Sequence, residues 1–165
     1  MEGWGEFALA GAGAAAVLAG LIFIAVSINL ERILTAPGLR GRAGESLIMF
    51  VGVLVICMLM LVPQSRRALA IELVAVGLLA LMLHMLLAWT GARVPGRQPV
   101  SWLVTRFVLG AAVALPTVVA GASLLAEAGG GLYWLVAGFL ISFVAGIGNA
   151  WVLLVEVVRD ERYRP

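Results

Sequence analysis

Five apolar runs, each near or above the length needed to cross a bilayer, are the feature that most limits how this chain can fold. They cover roughly residues 7–30, 46–62, 69–89, 102–126 and 132–156. A helix of about 20 apolar residues spans the hydrocarbon core, and inside lipid only a helix or a closed barrel satisfies its own backbone. Runs this long and this free of alternation predict helices. The expected fold is therefore all-α: an integral membrane bundle of five transmembrane helices in one domain, residues 1–165. Composition agrees, with 63% hydrophobic and 12% charged residues and a mean hydropathy of +1.10. A soluble domain is nearer half apolar and a quarter charged.

The connections read as turns. Thr35 to Glu45 contains Pro37-Gly38 and is expected to be a loop. That leaves the second span short, at about 17 residues or about 26 Å. Pro63 ends it, and Pro63 to Arg67 is a tight connection. Gly91 to Ser101 is a second loop, and Glu127 to Gly131 is a glycine-rich turn. Pro116 sits inside the fourth run, where it removes a ladder hydrogen bond and is expected to kink the helix near Ala112.

Every basic residue is arginine. Arg32, Arg40, Arg42, Arg93, Arg97, Arg106, Arg159, Arg162 and Arg164 fall on one side of a five-span topology, leaving Arg66 and Arg67 on the other. The positive-inside rule then puts the N-terminus outside and the C-terminus in the cytoplasm. The implied setting is a bacterial cytoplasmic (inner) membrane, with the arginines meeting anionic lipid headgroups rather than nucleic acid. Acidic Glu2 and Glu6 lie where a signal peptide would carry positive charge, so the first run is expected to be kept as a span. An odd number of spans rules out a simple pair of inverted halves.

Within the fifth run, Ser142, Asn149 and Glu156 are seven apart and fall on one line of a helix, with Gly138 and Gly146 beside them. A small or polar face avoids lipid and packs on protein or lines water. In the first run Ala8, Ala12, Ala16 and Gly20 form one ladder, and Gly11, Ala15 and Ala19 form another beside it. Such ladders let a neighbouring backbone come close. The titratable candidates are His84, Glu72 and Glu31. Glu31, Glu45 and Glu156 are expected at headgroup level beside arginines, and Glu72 is expected to pair with Arg66 or Arg67. Cys57 and His84 are the sole cysteine and histidine. One chain therefore supplies neither an intramolecular disulfide nor a cysteine or histidine metal cluster. No cofactor is expected.

No His-Glu-x-x-His, Gly-x-Ser-x-Gly or phosphate loop occurs, and the only aspartate is Asp160. An enzyme is not expected. The stretch Ala19-Gly-Leu-Ile-Phe-Ile-Ala-Val-Ser-Ile-Asn-Leu-Glu-Arg-Ile-Leu34 resembles the opening span of small, uncharacterised membrane proteins of high-GC bacteria, some labelled "modulator of FtsH protease". The resemblance covers about one tenth of the chain, implies a regulatory or interaction role, and assigns no functional residue. Two functions fit the residues. One is an interaction or regulatory subunit in a homo-oligomer or larger membrane complex, held by helix packing. The other is an oligomeric channel or carrier for protons or small ions, lined by Ser142, Asn149 and Glu156.

Overall fold

A computed structural model describes residues 3–35, 39–92 and 100–162, and the side chains of residues 3–31, 33, 41–90 and 103–151. Among these residues all the regular structure is helical: α1 (Trp4–Ile28), a short α2 (Leu30–Thr35), α3 (Leu39–Leu61), α4 (Arg66–Ala92), α5 (Val100–Ala126) and α6 (Tyr133–Arg162). Five of the six are long and apolar enough to span a membrane. The shortest such stretch, Tyr133–Trp151, has 19 residues, or about 28 Å at 1.5 Å per residue, close to the thickness of a hydrocarbon core.

Successive long helices run antiparallel. On α4 and α5, Gly77 faces Val118, His84 faces Gly110, and Ala70 faces Gly121. Position numbers thus fall along one helix as they rise along the other. Gly11 of α1 meets Cys57 of α3, and Gly146 of α6 meets Phe50 of α3. The bundle therefore has two ends. One carries the starts of α3 and α5 and the ends of α1 and α4, and is called here the basic end. The other carries the 127–132 turn.

The second span differs from the sequence expectation. α3 begins at Leu39, so residues 39–45 are helix rather than loop, and the apolar stretch Gly41–Leu61 has 21 residues. The polar residues Arg42 and Glu45, which read as a loop, are helical and lead into the bundle, where Glu45 finds a partner. α1 stops at Asn29, whose backbone and side-chain amides both reach the Ala25 carbonyl, at 3.3 and 3.0 Å. That side-chain bond competes with the helix ladder, and the chain resumes as α2. α5 runs unbroken through Pro116, whose ring lies against Gly138 of α6.

The α5–α6 turn depends on glycine. Gly129, Gly130 and Gly131 all have positive φ, and Glu127 shares that conformation at φ 54°. Three successive left-handed residues suit only side chains without a Cβ penalty. Trp134 closes the turn by donating its indole N–H to the Gly129 carbonyl at 2.7 Å. Nearby, Trp4 packs edge-on against Phe7 and Tyr133, and Phe7 stacks on Phe139, tying α1 to α6.

The core sits at this end and the centre of the bundle. It is built from small residues of α1 (Ala8, Ala12, Ala15) and larger ones elsewhere, among them Val53, Leu73, Leu135 and Phe139. Outward positions are large and apolar, such as Phe23, Ile28, Val108 and Val144. An outer surface of large apolar side chains is the inverse of a water-soluble bundle and suits lipid.

Candidate functional site: a buried polar cluster and an open helix face

The polar side chains that the sequence scatters over several helices converge inside the bundle near its basic end. Arg106 of α5 and Glu45 of α3 form an ion pair with Nε to Oε1 at 2.7 Å, and both side chains are buried. α3 can approach this closely because Gly41 offers no Cβ; one built there would lie 3.1 Å from both terminal guanidinium nitrogens. Burying two charges costs several kcal/mol each, and only direct pairing offsets it. Glu45 thus lies beside an arginine, and the pair is buried between two helices. The pair lies inside the protein because it joins two helices that the sequence separates by 61 positions (106 − 45).

Next to Glu45 in the chain, Ser46 is fully buried. Its Oγ lies 3.2 Å from the Arg42 carbonyl and 3.4 Å from the Gly146 carbonyl. Its single proton can serve one of these acceptors at a time or be shared between them. His84 of α4 is 3% exposed and packs on Gly110 of α5. Its Nδ1 lies 2.8 Å from the Ala80 carbonyl. A carbonyl only accepts, so Nδ1 carries the proton there. Nε2 is buried with no hydrogen-bond partner among the described residues.

The α6 stripe divides. Ser142 is buried and donates to the Gly138 carbonyl of its own helix at 2.7 Å. Gly138 takes the Pro116 ring, with a built Cβ at 3.2 Å, and Gly146 takes the Phe50 ring, where a built Cβ would come within 2.5 Å. All three therefore face the core of their own chain. Asn149 is half-buried, and its amide nitrogen is enclosed without an acceptor among the described residues. The side chain of Glu156 lies outside the described residues. Glu31 is exposed on α2. Glu72 accepts a hydrogen bond from Gln64 at 2.8 Å. Among the described residues it forms no ion pair with Arg66 or Arg67, which are exposed at the start of the same helix. The expected pairing is corrected: Gln64, which folds back from the α3–α4 connection and also donates to the Leu59 carbonyl, reaches the carboxylate first.

The two α1 ladders also divide. Ala8, Gly11, Ala12 and Ala15 turn inward, with Gly11 against the Cys57 sulfur and the Phe139 ring. Ala16 and Gly20 turn outward. A Cβ built at Gly13 or Gly20 meets nothing within 4 Å. Gly13, Ala16 and Gly20 thus form an open small-residue face, continued by exposed Val17.

Sequence reasoning missed the glycines of the α4–α5 contact. At Gly121 a built Cβ would lie 2.6 Å from the Ala70 carbonyl oxygen, and at Gly77 it would lie 2.9 Å from the Val118 nitrogen. The signal was present: Gly110, Ala114, Thr117 and Gly121 fall at i, i+4, i+7 and i+11, one line of a helix.

Three or more His, Cys, Asp or Glu side chains do not gather anywhere among the described residues. In comparisons with family models, curated proteins and solved structures, nothing matches the chain. The resemblance noted for Ala19 to Leu34 rests on those residues alone.

Proposed function

We propose that this chain is a multi-pass protein of the bacterial cytoplasmic membrane, with its N-terminus outside, that acts as a small interaction or regulatory subunit through helix–helix packing. The observation that carries this reading is the open face of α1. Gly13, Ala16 and Gly20 leave room for a neighbouring backbone, and no helix among the described residues occupies it. In lipid, close van der Waals approach along small residues is the main drive for helix association. The partner is a second membrane helix, from another copy or from a larger complex. The arginine asymmetry sets the orientation, with the basic end toward anionic cytoplasmic headgroups.

The alternative, an oligomeric channel or carrier for protons or small ions lined by the α6 stripe, has less support. Ser142 bonds to its own helix and is enclosed by the helices of one chain. It offers nothing to a pore on an axis between chains.

The test is the mass of the assembly taken directly from native membrane patches, with all accompanying chains identified. A defined complex that falls to a single chain in the Gly13→Leu, Gly20→Leu double variant supports the proposal. A wild-type chain that runs alone contradicts it.

A further inference from the structure

Between α3, α4, α5 and α6 lies a partly open cavity of about 20 Å³. One water needs about 10–15 Å³ of such space and two to four polar partners. The cavity wall is mostly apolar, including Met49, Val53 and Val113, but three polar side chains line it: His84, Thr117 and Ser142. All three are buried. The Nδ1 proton of His84 is committed to the Ala80 carbonyl, so in the neutral ring Nε2 is an acceptor and lacks a donor. Ser142 spends its proton on the Gly138 carbonyl and keeps its oxygen lone pairs. Thr117 carries a hydroxyl that both donates and accepts. Among the described residues no group donates to Nε2.

We propose that this cavity is a binding site for one water molecule, which donates a hydrogen bond to His84 Nε2 and completes its bonding with the Thr117 and Ser142 hydroxyls. A dry cavity of this kind is apolar on every side, and this one is not. The Ala80 carbonyl fixes the tautomer, because a proton on Nε2 of the neutral ring would leave Nδ1 without one to donate to it.

Because His84 is the only histidine, ¹⁵N-histidine labelling reports this ring alone. Solid-state NMR of the full chain in lipid bilayers should find Nδ1 protonated. It should find Nε2 unprotonated, at the shift of a hydrogen-bonded acceptor, with magnetisation transferred to it from water. In the Thr117→Val, Ser142→Ala double variant that transfer should drop at least severalfold while the Nδ1 signal stays. An Nε2 at the shift of a non-bonded nitrogen, without water transfer in the wild-type chain, would overturn the proposal. So would an Nε2-protonated ring. Transfer undiminished in the double variant would overturn the assigned pair of hydroxyls.

Discussion

At the scale of single residues, the strongest constraint is a charge that has to be matched. Arg106 and Glu45 are buried together, and Gly41 makes room for the guanidinium. Removing one partner of a buried pair leaves the other charged and desolvated, at a cost of about 3–5 kcal/mol. Replacing both with apolar side chains of similar size is often close to neutral. Arg106→Leu and Glu45→Leu should each destabilise the bundle by roughly that amount, and the double replacement should recover most of the loss. Unfolding midpoints of the three variants in the same lipid or detergent provide the check. A double variant no more stable than either single one would mean that the pair holds α3 to α5 by more than mutual neutralisation. The sequence showed both residues but not their pairing. Each sits beside other charges and near a helix end, which is how an interfacial residue looks. Only the register of α3 against α5 brings them together.

Individual helices differ in what their small residues do. On α5 Gly121 lies against the α4 backbone and Gly110 against the His84 side chain, whereas Gly20 on α1 faces open space. The same substitution should therefore have opposite consequences. Gly121→Val drives a side chain into the Ala70 carbonyl and the Val74 backbone, and overpacking of this kind costs about 1–3 kcal/mol or more. Gly20→Val should leave the midpoint of unfolding nearly unchanged and act only on association. Thermal unfolding of the two variants side by side separates these cases; equal losses would mean that α1 is packed on both faces within the chain. The apolar periodicity made the existence of the long helices legible, because lipid demands length and continuity. It did not reveal which small-residue ladder turns inward. Ala12 and Ala16 differ by one position in a helical line, yet one is buried and the other exposed. The short-span reading of α3 failed for a related reason. Arg42 and Glu45 look like the end of an apolar run, and the partner that lets Glu45 continue inward lies on another helix.

Across the whole molecule, polar side chains lie inside toward one end and large apolar ones point out. The half nearer the 127–132 turn is sealed by Leu73, Leu124, Leu132 and Leu135, so a single copy offers no continuous polar path between its two ends among the described residues. The proposed function places association on the outside of the bundle, at the open small-residue face of α1. A photoreactive side chain in place of Val17, on the open α1 face, or in place of Val144, exposed on α6, tests this most directly in living membranes. The account predicts that light couples position 17 to another protein chain and position 144 chiefly to lipid. Coupling between chains through position 144, with position 17 reaching only lipid, would contradict it and favour assembly around α6.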